Sequence, residues 1–124
     1  PHLTPDERNR VWLELEHKYR PWIDFADLPF YGRGAGWQRQ LHIYECPFYY
    51  IDYCLAQTVA LQFFAAHLAD PKDAWQRYLA LVRQAGTASY PQLVKAAGLA
   101  VPFEDGSLAP VAHTVAQWIV EHQV

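Results

Sequence analysis

The chain of 124 residues has room for one domain or for a part of a larger protein. Its residues are 52% hydrophobic and 15% aromatic, which is enough for a packed core, and its net charge of -3 comes from acids and bases mixed along the chain. This pattern excludes the basic face that a nucleic-acid-binding protein needs, so no nucleic-acid partner is expected.

The chain carries two cysteines, Cys46 and Cys54, and no methionine. The cysteines have neither C-x-x-C nor zinc-finger spacing and lie among apolar residues, so they are predicted to be buried, reduced thiols. No signal or transit segment is recognisable, which favours the cytoplasm. A start at Pro1 without methionine indicates either a removed leader or a fragment of a longer polypeptide.

Helix-start signals define the first element, and glycine and proline break the next. Thr4, followed by Pro5 and Glu7, predicts a capped helix that ends before Pro21. Residues 21–41 mix glycine, proline and aromatic side chains, which indicates an ordered loop packed on the core.

Two short patterns in this region could be mistaken for binding motifs. Gly32, Gly34 and Gly36 match no phosphate-binding motif, and they are expected to let the backbone turn or approach another segment closely. Glu14 and His17 form one Glu-x-x-His pair, whereas a di-iron site needs two such pairs and two further glutamates. A solvated helix face is therefore predicted there.

From Pro47 to Phe64 the chain is almost wholly apolar, which predicts a buried central helix that starts at Pro47. Asp52 and Gln57 interrupt the stretch and no basic cluster flanks it, so a membrane-spanning helix is excluded.

Three further helices follow. Asp70 predicts the start of one that closes at Gly86, Ser89 starts a short one stopped at Gly98, and Ser107 caps the last. Helical spacing predicts the inward side chains Val11, Trp12, Leu15 and Tyr19; Trp75, Tyr78, Leu79 and Val82; and Leu108, Val111, Val115, Trp118 and Ile119. The predicted fold is all-α, with four main helices and one short helix around one buried apolar helix.

An imidazole and several phenols lie close together in the sequence: His42, Tyr44, Tyr49, Tyr50 and Tyr53. On a helix that starts at Pro47, Tyr50, Tyr53 and Gln57 project from one side. Neutral phenols beside a histidine can donate hydrogen bonds to a developing oxyanion at neutral pH. The alternative is that these tyrosines line a core, with their hydroxyls bonded to backbone or water.

Two runs resemble the C-terminal part of the oligoendopeptidase F branch of the thimet-oligopeptidase zinc metallopeptidases: residues 42–57, HIYECPFYYIDYCLAQ, and residues 86–91, GTASYP. The similarity covers most of the chain and is strongest from Trp37 to Phe64. It implies that residues 1–124 form a single helical segment, the C-terminal part of a peptidase catalytic domain within a larger helical metallopeptidase fold.

The resemblance implies a zinc-dependent oligoendopeptidase, which hydrolyses internal bonds of short peptides through attack by zinc-bound water. The family's zinc ligands, an H-E-x-x-H helix and a later glutamate, lie N-terminal to the matched segment and do not occur in this chain. The chain alone is therefore expected to be inactive and to pack against the N-terminal remainder of the same polypeptide. Exposed apolar surface would also allow a homodimer.

The resemblance assigns roles to the histidine and the tyrosines. By position, His42 matches the family histidine that grips the substrate and stabilises the oxyanion. Tyr50 and Tyr53 are the candidate catalytic tyrosines, with Tyr49 as an alternative. Tyr44 and Tyr49 are predicted to bind the peptide substrate.

Three polar side chains are predicted to support this site: Asp52, Gln57 and Arg39. Asp52 is expected to orient the site through a hydrogen bond or through Arg39, and no residue of the chain is predicted to be a metal ligand. The alternative function is a self-contained helical module that binds a peptide or partner helix without catalysis. A fragment should expose a large apolar surface, whereas a complete module should show a closed core and a localised groove.

Overall fold

The computed structural model describes residues 2–25 and 27–122, and every regular element in these residues is helical. In chain order they are α1 Pro5–Tyr19, α2 Pro29–Gly32, the 3-10 helix Ala35–Arg39, α3 Leu41–Glu45, α4 Ile51–Ala69, α5 Pro71–Arg83, α6 Tyr90–Ala96 and α7 Ala109–Glu121. The predicted all-α fold is confirmed. Among the described residues, no helix combines the length and the apolar character needed to cross a bilayer. Pro1, on which the expectation about the chain start rests, lies outside the described residues.

Helices α1, α4, α5 and α7 are the four main helices expected from the sequence, and α6 is the short one. The ordered loop predicted for residues 21–41 is wrong in part, because α2, the 3-10 helix and the start of α3 lie there. Pro29 occupies the first turn of α2, where a missing N–H costs no hydrogen bond. In this segment, short helices pair backbone N–H and C=O groups with each other through local hydrogen bonds.

The chain divides into two compact units, one up to Tyr50 and one from Ile51 onward. The first unit contains α1, α2, the 3-10 helix and α3, and the second contains α4 to α7. All the functional residues predicted from the sequence lie in residues 39–57, so they are distributed over both units.

Glycine allows a close contact between two segments of the first unit. Gly34 adopts a φ of 78°, and a Cβ built there would overlap the Asn9 carbonyl, 2.9 Å from its carbon. A Cβ on Gly36 would lie 2.9 Å from Nε1 of Trp12. The prediction that these glycines permit close approach is therefore confirmed, and the segment they approach is α1.

The buried face of α1 differs from the predicted one. Glu16 is buried and pairs with Arg20, the C-cap residue of α1. Of the predicted face, Trp12 is half-buried where Gly36 approaches it, whereas Val11, Leu15 and Tyr19 are exposed. Helical spacing identifies an apolar face, but it does not reveal whether that face is covered.

The predicted caps of α1 and α5 are present in the structure. The backbone N–H of Thr4 donates to the Glu7 carboxylate over 2.7 Å and the Thr4 hydroxyl donates over 2.8 Å, which together hold the pKa of Glu7 below its ordinary value. The Asp70 carboxylate accepts from the backbone N–H groups of Lys72 and Asp73 at the start of α5.

The core of the second unit lies around α6 and the segment after it. Its buried members are Val94, Ala97, Leu99 and Val101, and its half-buried neighbours are Val59, Phe63, Leu81 and Tyr90. Helix α4 packs against α5 and α7 beside this core. Within the described residues it is covered only in part, because Gln62 is its fully buried residue and its first turn is exposed.

The predicted inward faces of α5 and α7 are also only partly correct. Trp75, Tyr78 and Val82 are exposed, and so is Ile119. Helix α5 fully buries only Ala74 among its described residues, although the half-exposed Tyr78 ring packs edge-on against Phe63 of α4.

The start of α7 is later than predicted. Ser107 does not cap this helix, because Leu108 occupies the N-cap position and Pro110 the first turn. The Ser107 hydroxyl oxygen is buried and has no hydrogen-bond partner among the described residues.

Gln62 connects α4 to the core segment through two hydrogen bonds. Its Nε2 donates to the Ala100 carbonyl oxygen over 3.0 Å, and its Oε1 accepts from the Ala100 backbone N–H over 2.7 Å. A side-chain amide thus satisfies both backbone groups of a residue that is in no helix. This pairing explains why a polar residue is the buried one on an apolar helix.

Gln62→Leu is expected to lower the free energy of unfolding by about 1–3 kcal/mol, because it removes two hydrogen bonds to the backbone of Ala100. Gln57→Leu, on the exposed part of the same helix, is the matched control and should change it by less than about 0.5 kcal/mol. Urea denaturation followed by circular dichroism measures both variants. Equal effects would show that the Ala100 pairing contributes nothing.

Candidate functional site

A tight turn between α3 and α4 presents the tyrosines. The Tyr49 backbone N–H donates to the Cys46 carbonyl oxygen over 3.1 Å, with Pro47 at the second turn position. Phe48, at the third, has a φ of 69°. This is the pattern of a type II turn, in which glycine usually occupies the third position. The left-handed backbone of Phe48 costs roughly 1–2 kcal/mol, and strain of this kind is concentrated at functional sites.

The turn corrects the predicted start of the central helix. Helix α4 begins at Ile51, so Pro47 is a turn residue and Tyr50 precedes the helix. The fixed φ of proline suits a first helical turn and the second position of a β-turn equally well. As a result Tyr50 does not share a helical face with Tyr53 and Gln57, and only the last two lie on α4.

Reversal of the chain at this turn brings two tyrosines onto the predicted catalytic histidine. The His42 ring on α3 stacks with the Tyr49 ring at a centroid distance of 5.9 Å and an interplanar angle of 20°. The Tyr50 ring lies nearer, at 4.9 Å, tilted by 57°. The first unit therefore contains a cluster of one imidazole and two phenols.

Tyr44 is placed by contacts that the sequence did not indicate. Its ring stacks on Trp37 at 6.2 Å, and the Trp37 Nε1–H donates to Oδ1 of Asn9 over 2.8 Å. The Arg8 guanidinium lies 5.6 Å from the centre of the Trp37 ring. Asn9 and Trp37 thus position a predicted substrate-binding residue. Their separation of 28 residues explains why no local pattern indicated it.

The predicted tyrosines are accessible and do not line a core. Tyr44, Tyr49, Tyr50 and Tyr53 are each between 48% and 55% exposed, and Phe48 at the tip of the turn is 94% exposed. The alternative in which these rings fill a core therefore does not hold for the described chain. Exposed phenols can meet a ligand that lies along the surface.

The predicted supporting residues fall into both units. Arg39, in the first unit, donates from Nη1 to the Tyr31 hydroxyl, and its guanidinium lies 5.9 Å from the centre of the Tyr31 ring. Asp52 and Gln57 are exposed on α4, in the second unit. The pairing of Asp52 with Arg39 stays a prediction.

The two cysteines are free and exposed, so the prediction that they are buried is wrong. Cys46 is the first residue of the turn before α4, and Cys54 lies on the exposed first turn of α4. An apolar sequence setting buries a thiol only where a packing partner is present.

Metal ligands are not grouped in the part of the chain that the structure describes. Within residues 2–25 and 27–122, no three His, Cys, Asp or Glu side chains come together in a way that could hold a metal ion. A zinc site takes three or four such ligands. The described residues therefore do not fit a zinc site by themselves.

Two solved structures resemble this chain over nearly its whole length. A protein assigned as an oligoendopeptidase F matches 99% of the chain at 45% identity, with a TM-score of 0.90. The comparison confirms the resemblance to the oligoendopeptidase F branch. PZ peptidase A, solved with an inhibitor, matches 97% of the chain at 42% identity, with a TM-score of 0.87.

The chain spans about a fifth of the length of these two relatives, 22% of the oligoendopeptidase F and 21% of PZ peptidase A. A scan against protein-family models found no match, and neither did a search of the curated proteins. The oligoendopeptidase F resemblance therefore rests on the two solved structures and on the runs that the sequence shares with the family.

Proposed function

We propose that the chain is the C-terminal part of a zinc-dependent oligoendopeptidase that hydrolyses internal bonds of short peptides. The observation that carries this proposal is the 42–45% identity over nearly the whole chain to oligoendopeptidase F and PZ peptidase A. In this proposal, residues 1–124 are a single helical segment of the catalytic domain. The rest of the polypeptide supplies the zinc ligands.

The histidine and the tyrosines act on the substrate carbonyl in this proposal. His42, Tyr50 and Tyr53 donate hydrogen bonds to the oxyanion that forms when the peptide bond is attacked. Tyr44 and Tyr49 bind the peptide beside it. Ring packing of Tyr49 and Tyr50 on His42 supports the proposal, because it restricts the imidazole before the substrate arrives.

Asp52, Gln57 and Arg39 have a supporting role in the same proposal. The contact between Arg39 and Tyr31 gives the guanidinium a defined position in the first unit. Asp52 and Gln57 lie on the first two turns of α4, which also carry Tyr53. Each of the three is polar and close in sequence to a proposed catalytic group.

Exposed apolar side chains support the proposal that the chain packs against further parts of a larger protein. Large exposed examples occur in both units: Trp22, Phe48, Phe103, Ile119 and Val120. A self-contained binding module would bury such residues or gather them into one groove, so the distribution favours the fragment. We propose that the N-terminal remainder of the same polypeptide covers these faces, and that the isolated chain forms a homodimer through them. The free, exposed thiols fit a reducing cytoplasm.

The proposal is tested by metal analysis and peptide cleavage with the full-length protein encoded by the gene. We expect about one zinc ion per polypeptide, as in other catalytic zinc sites with a single metal. Cleavage of a quenched peptide should be lost on chelation and restored by zinc. The 124-residue chain alone should show neither property. A full-length protein that binds no zinc and cleaves no peptide would leave the helical binding module as the better explanation.

A further inference from the structure

A cavity of about 290 Å³ lies within the second unit, between the start of α4 and the start of α6. It is lined by Asp52, Leu55, Ala56 and Tyr90. The Tyr90 hydroxyl donates to the Leu55 carbonyl oxygen over 3.1 Å, and the Tyr90 ring packs at 6.1 Å against Phe103. The aromatic wall is therefore held in place by contacts on two sides.

The lining combines an apolar interior with a single charge. Leu55 and Ala56 form an aliphatic wall, Tyr90 forms an aromatic wall, and Asp52 supplies a carboxylate. Lysine and arginine have the complementary form, because a hydrocarbon stem carries a charged end. A cation near the ring face of Tyr90 would also be attracted by the aromatic quadrupole. The volume lies at the lower end of ligand sites, about 300 Å³, which suits one side chain better than a whole ligand.

The position of the cavity connects it to the proposed catalytic groups. Asp52 is the immediate neighbour of Tyr53 on the first turn of α4. A peptide that reaches Tyr53 therefore passes close to the residue that carries the charge of the cavity. None of the proposed catalytic tyrosines lines the cavity, so a preference for one substrate side chain would be an effect of Asp52 separate from its proposed supporting role.

We propose that this cavity, the Asp52 pocket, is a specificity subsite that binds a cationic group of the peptide substrate. The proposal rests on the proposed peptidase function, because it assumes a peptide that passes along α4. The cation is either a lysine or arginine side chain or the free N-terminal amine of a short peptide. Both present an ammonium or guanidinium group to the carboxylate.

The test uses the full-length enzyme and pairs of quenched peptides that differ only by lysine or norleucine at one scanned position. At the position that reaches the pocket, D52N is expected to lower the lysine-to-norleucine ratio of kcat/KM on the order of fivefold, the range for an exposed ion pair. D52K should prefer norleucine to lysine, and a third peptide with glutamate at the same position should then be cleaved best. D105N, which changes an exposed aspartate of the loop before α7, is the matched control, and its ratio should equal that of the wild type.

The outcomes separate the two proposals. Cleavage of both peptides with an unchanged ratio in D52N overturns the subsite and leaves the peptidase function intact. An equal loss for both peptides also overturns the subsite and leaves Asp52 with its proposed supporting role alone. A wild-type enzyme that cleaves no peptide overturns the peptidase function itself. Peptides with a free or an acetylated N-terminus distinguish a side-chain cation from the N-terminal amine. If the amine is the bound cation, acetylation should abolish the effect of D52N on kcat/KM.

Discussion

Replacing His42 by alanine in the full-length enzyme is expected to lower kcat about a hundred- to a thousandfold, the usual cost of removing one oxyanion donor. The substitution removes the imidazole and also the surface on which Tyr49 and Tyr50 pack. Because an oxyanion donor acts in the transition state, the loss should appear in kcat and only weakly in KM. Steady-state cleavage of a quenched peptide measures both constants.

Phenylalanine variants then identify the catalytic hydroxyl. Tyr50→Phe keeps a ring 4.9 Å from His42 and removes only the phenol oxygen, so its effect on kcat reports the hydroxyl alone. Tyr53→Phe is expected to lower kcat to a similar extent as Tyr50→Phe. Tyr49→Phe should mainly raise KM if Tyr49 binds the peptide. Tyr19→Phe, an exposed tyrosine on α1, is the matched control.

Two results would contradict this assignment of roles. A His42→Ala enzyme with normal kcat would exclude the imidazole from the reaction. Equal, small effects of Phe at positions 49, 50 and 53 would show that no single phenol acts on the oxyanion. Both results together would mean that the rings only shape the surface and that groups outside this chain stabilise the oxyanion.

Gly34→Ala is expected to produce the largest loss of stability among single substitutions in the first unit, about 3 kcal/mol or more. Its φ of 78° disfavours any residue with a Cβ by roughly 1–2 kcal/mol. The new Cβ would also overlap the Asn9 carbonyl, which is backbone and cannot move aside as a side chain would. Relief therefore requires separation of the 3-10 helix from α1.

Gly106→Ala is the control, because Gly106 also has a positive φ, 72°, but a Cβ there would meet no atom within 4 Å. Gly106→Ala should lower the free energy of unfolding only by the cost of a positive φ for a residue with a Cβ, about 1 kcal/mol. Thermal unfolding compares the two variants, and hydrogen exchange of the α1 amides localises the effect. A Gly34→Ala chain no less stable than Gly106→Ala would mean that α1 and the 3-10 helix do not approach as closely as the structure shows.

The close contact at Gly34 also affects the position of a proposed substrate-binding residue, Tyr44. Asn9 supplies the side-chain oxygen that holds Trp37, and Trp37 stacks on Tyr44. Displacement of α1 would therefore disturb a proposed substrate-binding tyrosine as well as the packing of the unit. A variant that stays folded but shows a raised KM would connect the two effects.

The sequence by itself indicated the five longer helices and the resemblance to the oligoendopeptidase F branch. Thr4 with Glu7, Asp70 with Pro71, and Ser89 act on backbone groups within three residues, so their effects can be read locally. The run that begins at His42 is recognisable for a similar reason, because it is a contiguous string of side chains.

The tertiary structure alone decided which faces are covered and how the site residues meet. Pro47 could begin either a helix or a turn, and the choice depends on how the chain packs beyond it. Burial of Gln62, exposure of Cys54 and the cavity beside Asp52 likewise depend on residues far along the chain. Local propensity acts over a few residues, whereas burial needs a partner surface, and no short sequence pattern encodes that partner.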